Sequence, residues 1–491
     1  MTSPYDQIIV DIKDYVFHYQ IESPNAWVSA QTTILDALGC AIEGIATSSG
    51  CRSLLGPVIP ETITPDGFRL PGSSYQLDPV KGAFDMATMI RYLDRNDALG
   101  GKDWGHPSDI WMSKDNLGAL IAVSDWLSRS SASGRLIHKG PRLTMRTLLE
   151  ATVKAYEIQG CFLLNNAFNQ YGLDHTVLVK LASTAVVSWL LGLSEDQTMA
   201  AISHVWMDGI PLRIFRTYPN STLRKSWAAG DACMRAVQLA LLTRSGQSGA
   251  PTVLTEPRWG FYATTWRGES FAPPRQYGTW VVENVFFKIT AAEGHGISAM
   301  EAALQQTIRI QAQGLDPGHA IKKIKIRTNA SANMIINRPG KLHGAADRDH
   351  CMQYMIAVTI LKGAVPDAAD FQDDSPWAAD TRVTALMAKC EIMVDKDLTR
   401  DYLDITKRSV ASGVTVLLHD ESELGEVLIE FGVGHPRNEE TLPAVRAKFK
   451  KNMALLFSEQ EVKEISAAMT QDGPISSFID LLVRNKPYTK L

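Results

Sequence analysis

Acidic residues and a histidine are concentrated in one glycine-rich segment, RYLDRNDALGGKDWGHPSD (residues 91–109), between two apolar helical stretches. Carboxylates and imidazoles are the side chains that most often transfer protons in enzymes, or that orient the groups that do. The segment therefore predicts the wall of a proton-transfer pocket, although acidic residues and Asn also favour turns and helix starts for purely local reasons. Its candidate residues are Asp94, Asp97, Asp103, His106 and Asp109.

A second histidine, His175, stands at the start of an apolar, small-residue stretch, GLDHTVLVKLAST. An imidazole at a helix N-terminus lies at the positive end of the helix dipole, which favours its neutral form. A neutral imidazole can accept a proton, so His175 is a candidate for proton transfer. Capping of the helix is the structural alternative for this residue.

Four cationic residues lie close together before an alanine-rich helix, in a protein whose formal net charge is −4. Guanidinium groups bind carboxylates through two parallel hydrogen bonds, so this cluster predicts a binding site for an anion. A solvated basic face is the alternative. The four residues are Arg213, Arg216, Arg224 and Lys225.

Two more groups of chemically capable side chains follow in FKITAAEGHGISAMEAA and AADRDHCMQYM. In the second group, helix capping is an alternative role for His350 and its acidic neighbours. The chain contains neither a GxGxxG nor a GxxxxGK[ST] loop and no metal-ligand spacing, so no cofactor and no metal are predicted. The candidates are Lys288, Glu293 and His295 in the first group and Arg348, His350 and Tyr354 in the second.

Together these groups suit a small polycarboxylate substrate bound in a cleft between two domains. Removing a proton next to a carboxylate requires a base, with cations or hydrogen-bond donors that stabilise the developing negative charge. Loss of a β-hydroxyl group then requires a proton donor on the other side. Dehydration and decarboxylation of a tricarboxylate both meet this description.

The elements that must position these residues are mainly helices. Apolar residues recur at helical spacing along much of the first part of the chain, and their richness in Ala, Gly and Ser permits close helix packing. We therefore predict a large all-helical domain over residues 1–282, with Ser194 capping one of its helices. The stretches are ILDALGCAIEGI, GAFDMATMIRYLD, LGALIAVSDWLS, LLEATVKAYEIQGCF, VLVKLASTAVVSWLLGL and AAGDACMRAVQLALLTRSG.

The pattern changes after Pro273 and Pro274. Residues 283–436 are predicted to form a smaller α+β domain, with strands in IKKIKIRTNA, CEIMVD, VTVLLHDES and ELGEVLIEFG. A short polar turn joins the last two strands into a hairpin. Residues 437–491 are helical again and are predicted to return to the first domain. The fold class is mainly α with a smaller α+β domain.

Composition excludes several classes of protein. The net charge of −4 argues against a nucleic-acid-binding protein. The longest apolar stretch, residues 177–193, contains Lys180 and small residues and predicts a buried helix, with no membrane span. The six cysteines form no CxxC pair and stand in apolar or mixed surroundings, which predicts buried thiols and neither a zinc site nor an iron–sulfur cluster.

The ends of the sequence bear on location. The first residues, MTSPYDQIIVDIKDY, match neither a secretory signal nor an arginine-rich transit peptide, so we expect a cytoplasmic protein. The last three residues, Thr489, Lys490 and Leu491, are only loosely similar to a peroxisomal signal.

The chain resembles the MmgE/PrpD family almost from end to end. The motifs that carry the resemblance are IVDIKDYVFHYQI, LDALGC, LLGPVIP, QLDPVKGAF, MIRYLDRND, WGHPSD, DNLGALIAVSDWLS, EIQGC, GLDHTVLVKLAST, RKSWAAGDA, WGFY, GESF, ADRDHCMQYM and GHPR. The resemblance implies a helical domain formed by both chain ends, a smaller α+β lid, an active site between the two, and a homodimer. It also implies a tricarboxylate substrate and no metal.

The resemblance assigns pocket positions residue by residue. It implies that His106 or His175 transfers a proton, that Lys225 and Lys288 bind carboxylates, and that His295 is a second acid or base. Further pocket positions are implied for Tyr354 as a hydrogen-bond donor and for Asp94, and we add Arg216 and Arg348 as substrate-binding candidates.

Three departures from the dehydratases of this family concern the substrate. Ala98 stands where those enzymes usually carry Thr, Gly294 and Gly296 replace larger residues around His295, and residues 110–114 (IWMSK) form an insertion. Smaller side chains in a pocket wall leave room for a longer substrate branch. We therefore expect dehydration of 2-methylcitrate or of a longer 2-alkylcitrate. A cis-aconitate decarboxylase and a catalytically silent, ligand-binding paralogue are the alternatives.

Overall fold

The computed structural model describes residues 5–100, 111–113, 115–207, 209–216, 220, 222–404 and 406–484. The chain divides into two compact units. The first is made of Met1–Phe286 and Val445–Leu491, and the second is Phe287–Ala444. Across the described ranges, no helix is both long enough and apolar enough to cross a membrane.

Helices make up most of the described residues, which confirms the predicted fold class. They are, in chain order, α1 (Gln7–His18), α2 (Pro24–Thr47), α3 (Ser49–Arg52), α4 (Pro79–Arg91), α5 (Leu117–Ala132), α6 (Met145–Asn165), α7 (Thr176–Leu190), α8 (Glu195–Met207), α9 (Arg224–Arg244), α10 (Phe261–Thr264), α11 (Trp280–Glu283), α12 (Ile297–Gln311), α13 (Pro317–Ala320), α14 (Ala330–Ile336), α15 (Ala345–Arg348), α16 (Met352–Lys362), α17 (Thr381–Met387), α18 (Lys396–Leu403), α19 (Thr441–Met453), α20 (Glu459–Ala468) and α21 (Ile475–Asp480).

The first unit is built around α4, α5, α7 and α9, which pack against one another. Glycines bring the backbones close: a Cβ at Gly118 of α5 would overlap Ala87 of α4, and one at Gly230 of α9 would overlap Thr88. Nearly every residue of α7 is buried, as expected of a helix that is apolar all round. This confirms the prediction that small residues allow close helix packing.

Local capping signals in the sequence also form as expected. The Ser194 hydroxyl accepts a hydrogen bond from the Gln197 amide at 3.2 Å, and the Gln197 side chain accepts one from the Ser194 amide at 3.0 Å. This reciprocal arrangement satisfies two backbone N–H groups at the start of α8. The preceding Gly192 has φ +72°, the left-handed conformation with which helices commonly end.

The first unit also contains two short ribbons, so the prediction of an all-helical domain is wrong in this detail. Strands β1 (Phe68–Arg69) and β2 (Gln76–Leu77) pair in antiparallel fashion, as do β3 (Ala98–Gly100) and β4 (Trp111–Ser113). The backbone of Ala98 also exchanges two hydrogen bonds with Phe286, at 2.8 and 2.7 Å. These ribbons lie in connections between helices, where the sequence has no helical periodicity.

The second unit contains a mixed four-stranded sheet in the order β6-β5-β7-β8. Its strands are β5 (Ile321–Thr328), β6 (Cys390–Val394), β7 (Ser412–Leu418) and β8 (Glu423–Ile429). Strand β6 runs parallel to β5, whereas β7 is antiparallel to both β5 and β8. All four strands, and the β7–β8 hairpin, are thereby confirmed. Helix α12 packs against β7 and β8 and also contacts α16.

All six cysteines are free thiols, and five of them are buried, which confirms their predicted state. Cys390 is the partly exposed one. Burial raises the pKa of the Cys40, Cys51 and Cys233 thiols to about 12, so they remain protonated and unreactive at neutral pH.

Candidate active site

Asp174 is the centre of a charged group in the first unit. Arg216 binds it with two hydrogen bonds, from Nε to Oδ2 at 2.6 Å and from Nη2 to Oδ1 at 3.3 Å, and Arg213 donates a third at 3.4 Å. The carboxylate also accepts the backbone N–H of Thr176 at 3.2 Å, at the start of α7. Burial alone would raise the pKa of Asp174, but the positive charge of a protonated His175 and the Arg216 guanidinium lower it to about 2. The side chain is therefore ionised at neutral pH.

His175 lies immediately before α7, which confirms the predicted position of this residue at a helix N-terminus. It is 5% exposed, and its Nδ1 lies 3.7 Å from Oδ1 of Asp174. That distance is within the range of charge–charge attraction but too long for a hydrogen bond. Asp174 therefore influences the imidazole by its charge.

Two carboxylates between α4 and α5 lie close to Arg91, the last residue of α4. Asp94 has φ +54° and forms an ion pair with Arg91. Arg91 Nε also lies 3.7 Å from Oδ2 of Asp115, whose Oδ1 accepts the Asn96 amide at 3.0 Å. Asp115 is completely buried, and this burial raises its pKa despite Arg91 and Asn96.

These residues form one electrostatic unit, which we call the Asp174 cluster. The charges of Asp94, Asp115 and Asp174 all raise the pKa of Arg91, opposing the lowering effect of its burial. Three carboxylates thus stand against three guanidinium groups, so the cluster is close to neutral. Its members are Arg91, Asp94, Asp115, Asp174, His175, Arg213 and Arg216.

A buried lysine from α19 anchors the loop that carries Asp94. Lys448 Nζ donates to the carbonyl oxygen of Arg95 at 2.6 Å and to Oδ1 of Asp36 at 2.7 Å. Burial raises the pKa of Asp36, and Lys448 and the nearby backbone of Asp97 act against this effect. Because Lys448 and Asp36 are 7% and 1% exposed, water competes little for these bonds, and the loop is held from its inner side.

Lys225, the second residue of α9, is exposed. Its neighbour Arg224 forms a 2.8 Å ion pair with Asp231 and lies over the Trp227 ring at 4.4 Å. The guanidinium groups of Arg224 and Arg216 lie 5.5 and 5.0 Å from the centre of the Phe215 ring. Two of the three arginines of the predicted basic cluster therefore contact one ring.

In the second unit, His295 is bound on both ring nitrogens. It lies in a single 3₁₀ turn (Gly294–Gly296) directly before α12, where Glu293 precedes the turn and accepts the His295 backbone N–H at 2.9 Å. Nδ1 of His295 is 2.9 Å from each carboxylate oxygen of Glu293, and Nε2 is 2.9 Å from the Tyr402 hydroxyl. The imidazole is fully buried.

The Glu293 carboxyl group is ionised in this arrangement. Burial would raise its pKa, but the charge and hydrogen bond of a protonated His295 and the charge of His350 lower it to about 2. An ionised carboxylate bound to Nδ1 fixes the ring orientation and favours a proton on that nitrogen. The pair therefore holds the imidazole in one orientation.

Tyr354 and Arg348 belong to a different group of contacts in the second unit from Glu293 and His295. The Tyr354 hydroxyl donates to the carbonyl oxygen of Asp370 at 2.9 Å, and Arg348 donates to that of Phe371 at 2.7 Å. Both line a cavity of about 560 Å³, together with the apolar side chains of residues such as Trp377. The structure thus groups these two residues with each other and gives neither a hydrogen bond to His295. Lys288 is half-buried near the start of the unit.

One group of potential metal ligands occurs among the described residues, made up of Asp14, His18 and Glu195. All three are at least partly exposed, and Glu195 is already paired with Lys13 at 2.9 Å. The group contains none of the predicted site residues. Neither the Asp174 cluster nor the Glu293–His295 pair resembles a metal-binding set. Arginines bind the Asp174 carboxylate, and the Tyr402 hydroxyl binds the second ring nitrogen of His295.

Both halves of the chain match models of one family. Residues 10–274 match the MmgE/PrpD N-terminal domain and residues 291–472 the MmgE/PrpD C-terminal domain. The chain belongs to the MmgE/PrpD family.

Relatives within the MmgE/PrpD family cover almost the full length of the chain. The protein is 53% identical to alkylcitrate dehydratase phiI of Fungal sp. over 99% of this chain and 95% of that one. It is 49% identical to the 2-methylcitrate dehydratase-like protein oryR of Aspergillus oryzae, with 98% and 96% covered. It is 45% identical to the 2-methylcitrate dehydratase of Escherichia coli K12, with 98% of both chains covered.

One departure from the MmgE/PrpD dehydratase pattern does not have the expected effect. A Cβ on Gly296 would overlap the Met355 sulfur and lie 3.6 Å from a methyl group of Ile336. The space around Gly296 is thus filled by Met355, so the prediction that this glycine leaves room for substrate is wrong. Ala98 is fully buried in β3.

Several residues of the candidate site were missed by the sequence analysis. Asp174 had a visible signal, since an acid directly before a helix is a capping residue and four cations follow it in the chain. Arg91, Asp115 and Tyr402 had no local signal, because their partners come from distant segments. Three predicted residues, Asp103, His106 and Asp109, lie outside the described residues, as do the first and last residues of the 110–114 insertion, whose middle three residues form β4.

Proposed function

We propose that this protein is a citrate-type dehydratase, a hydro-lyase that removes water from 2-methylcitrate or a longer 2-alkylcitrate. The observation that carries the proposal is 45–53% identity, over nearly the whole chain, to proteins named alkylcitrate and 2-methylcitrate dehydratases. The two carboxylate–histidine pairs supply the kind of side chain that this elimination needs.

The elimination requires one group that takes a proton and one that gives a proton. The C–H bond next to a carboxylate breaks, its electron pair forms the C=C bond, and the C–O bond breaks as the hydroxyl leaves as water. The Glu293–His295 pair supports proton transfer at Nε2 of His295, because Nδ1 is held by an ionised carboxylate. His106 and His175 are the candidates for the second proton transfer.

Cationic groups must bind the carboxylates of the substrate. We propose Lys225, Lys288 and Arg216 for this role, with Asp94, Arg348 and Tyr354 as further substrate-binding candidates. The exposed ammonium group of Lys225 supports its assignment, since it is accessible to an anion. Arg216 is bound to Asp174 through two hydrogen bonds, so it contributes positive charge at a fixed position.

The accepted branch length and the assembly state are further parts of the proposal. Similarity to alkylcitrate dehydratases favours a substrate branch longer than methyl. The enzyme would then act in a biosynthetic pathway, whereas activity on 2-methylcitrate would place it in propionate metabolism. Ala98→Thr adds a hydroxyl and a methyl group at a buried position and is expected to shift preference toward short branches. We also propose a homodimer, which size-exclusion chromatography with light scattering would test.

Purified protein incubated with three substrates tests the proposed reaction. The substrates are 2-methylcitrate, a longer 2-alkylcitrate and cis-aconitate, with alkene absorbance and CO₂ release as readouts. Alkene formation from either alkylated citrate supports the proposal, and His295→Gln should abolish most of it. Release of CO₂ from cis-aconitate, or no turnover of any substrate by folded protein, would overturn it.

A further inference from the structure

The cavity of about 560 Å³ in the second unit has the features of a binding site of its own. The residues that line it all fall between Pro339 and Cys390, so it lies within one unit and includes neither carboxylate–histidine pair. Sites for small molecules commonly have volumes of about 300–1,000 Å³, with mostly apolar walls and a few polar groups. The composition of the walls therefore indicates which kind of molecule this cavity binds.

The cavity has a buried polar end and an open rim. Arg348, Gln353 and Tyr354 line it and are only 6%, 5% and 2% exposed. Lys341 and Ala388 also line it and are exposed, so a molecule can enter from solvent. The polar group of such a molecule would meet the buried end.

The buried end is positively charged. Nε of Arg348 donates to the carbonyl oxygen of Phe371 at 2.7 Å, and the guanidinium group forms an ion pair with Asp373. The Asp373 side chain is 78% exposed and that of Arg348 is 7% exposed, so water screens the acid far more than the arginine. None of the described residues that line the cavity is acidic, and Lys341 adds a second cation at the rim. The cavity therefore favours an anion.

The remaining walls are largely apolar. The Trp377 ring is fixed by a 3.0 Å hydrogen bond from its indole N–H to Asp370, whose charge is offset by an ion pair with Lys362. The side chains of Leu342 and Met387 line the same cavity. These surfaces are suited to a hydrocarbon chain, because both are released from water when the chain binds.

The volume of the cavity limits the length of that chain. A protein cavity of about 150 Å³ binds one benzene molecule, and this cavity is more than three times as large. A chain of about eight to ten carbons with a carboxylate therefore fits inside. A short acid such as acetate would leave the apolar walls uncovered.

The wall of the cavity is continuous with the candidate catalytic turn of the second unit. The Glu293 backbone N–H donates to the carbonyl oxygen of Asp349 at 2.9 Å, and Asp349 directly follows Arg348 in the chain. Met355 of α16 lies against Gly296, and the residue before Met355 lines the cavity. A ligand bound at Arg348 is therefore one residue away from segments that contact this turn.

We propose that this cavity binds an aliphatic carboxylate, with the carboxylate group at Arg348 and the chain along Trp377 and Met387. Two sources carry this chemistry: a longer 2-alkylcitrate, whose branch would lie in the cavity, and a free fatty acid. The first source rests on the proposed dehydratase function and gives Arg348 and Tyr354 their place in substrate binding. The second source does not depend on that function.

Isothermal titration calorimetry with octanoate, 1-octanol and acetate tests the site. Octanoate should bind as one molecule per chain, at least about tenfold more tightly than 1-octanol, because the alcohol cannot form charge-assisted hydrogen bonds with Arg348. Acetate should not bind at the same concentrations, since it lacks the chain. Equal affinities for octanoate and 1-octanol, or no binding of octanoate, would overturn the inference.

Ala388→Trp and Ala385→Trp form a matched pair of variants. Both alanines are exposed and lie in α17 or directly after it, but of the two only Ala388 lines the cavity. Ala388→Trp should weaken octanoate binding at least about tenfold, because the indole takes the space of the chain, and Ala385→Trp should change it less than about twofold. Equal affinities of the two variants for octanoate would contradict the proposed site.

Arg348→Gln removes the charge at the buried end. It should weaken octanoate binding about tenfold or more and leave the binding of 1-octanol unchanged. Arg382→Gln is the control, because Arg382 is exposed and pairs with Asp380 in the same unit. Thermal unfolding shows whether each variant is folded at the titration temperature. A folded Arg348→Gln protein that binds octanoate like the wild type would overturn the inference.

Turnover separates the two sources. If a longer 2-alkylcitrate occupies the cavity, octanoate should compete with it, and Ala388→Trp should raise its KM but not that of 2-methylcitrate. If the ligand is a free fatty acid, Ala388→Trp should change neither KM. Octanoate binding with these variant effects, in a protein that dehydrates neither citrate, would count against the proposed reaction and leave the site standing. A protein that dehydrates both citrates without binding octanoate would overturn this inference alone.

Discussion

Asp174 and Glu293 are both carboxylates beside a histidine, and both have a pKa lowered to about 2, but they are bound differently. Asp174 accepts hydrogen bonds from Arg213 and Arg216, and its histidine is 3.7 Å away. Glu293 gives both oxygens to its histidine at 2.9 Å.

The difference separates two ways in which a carboxylate can serve a histidine. The Glu293 carboxylate selects one tautomer and one orientation of the imidazole, because it hydrogen-bonds to one ring nitrogen. The Asp174 carboxylate, at the start of α7, instead binds two arginines, and it acts on His175 only through its negative charge. The comparison predicts that loss of either carboxylate destabilises the protein, and that loss of Glu293 also lowers activity much more than loss of Asp174 does.

Glu293→Gln is expected to have the largest effect. Replacing the ionised acceptor with a neutral amide removes the preference for a proton on Nδ1, and we expect kcat to fall about 10³-fold. Because the pKa of Glu293 is lowered as far as that of Asp174, urea unfolding should also show a loss of about 2–3 kcal/mol at neutral pH. Glu301→Gln is the control, since Glu301 is a partly buried acid of the same unit that accepts the Val433 amide at 2.7 Å. Equal losses of activity in both variants would contradict the assignment.

Asp174→Asn should mainly destabilise the protein and have a smaller effect on activity than Glu293→Gln. It leaves Arg213 and Arg216 without a negative partner in a buried site, which should lower the free energy of unfolding by about 3 kcal/mol. Urea titration measures this change. The comparison variant is Asp231→Asn, which breaks the more exposed pair with Arg224 and should cost less than about 1 kcal/mol. A smaller loss for Asp174→Asn than for Asp231→Asn would be evidence against the Asp174 cluster.

The depressed pKa of Asp174 also predicts how stability depends on pH. A carboxyl group with a pKa near 2 when folded and about 3.9 when unfolded stabilises the protein above pH 4, by about 2–3 kcal/mol. That contribution is lost as the pH falls from about 4 to 2. Unfolding free energies measured across this range should fall less steeply for Asp174→Asn than for wild type. Parallel curves would show that Asp174 is not the group responsible.

Gly296→Ala has the smallest predicted effect and tests the packing next to His295. The added methyl group would overlap the Met355 sulfur, and a flexible thioether can move, so we expect a loss of about 1–2 kcal/mol in unfolding free energy. Gly425→Ala is the control, because a Cβ there meets no atom within 4 Å. If Gly296→Ala were as stable as the control but lost activity only with the longer substrates, Gly296 would border the substrate and the packing against Met355 would not be the reason for the glycine.

Much of the fold could be predicted because its signals are local. Helical spacing in the alanine-rich stretches gave the central helices of the first unit, and alternation in IKKIKIRT gave β5. The Ser194 cap depends on residues only three apart. The ribbon between β3 and β4 could not be predicted, because its pairing is set by tertiary structure and not by periodicity.

The candidate site was predictable only where chemistry and sequence position coincide. His175 at the start of α7 and the Glu293–His295 pair are local features, separated from their supports by one or two residues. Arg216 lies 42 residues from Asp174, and Tyr402 lies 107 residues from His295. No single-sequence pattern joins residues at such distances, so those partnerships appear only when the chain is folded.

The bond between Lys448 and Asp36 spans 412 residues, and it has a consequence for biosynthesis. Asp36 leaves the ribosome 412 residues before the lysine that neutralises it. Until Lys448 has been made, the Asp36 carboxylate lacks the cation that neutralises it. The loop that carries Asp94 also lacks the hydrogen bond from Lys448 to the Arg95 carbonyl oxygen. Completion of this unit must therefore wait until Lys448 has been made, after the intervening 158 residues of the second unit (287–444) have been synthesised.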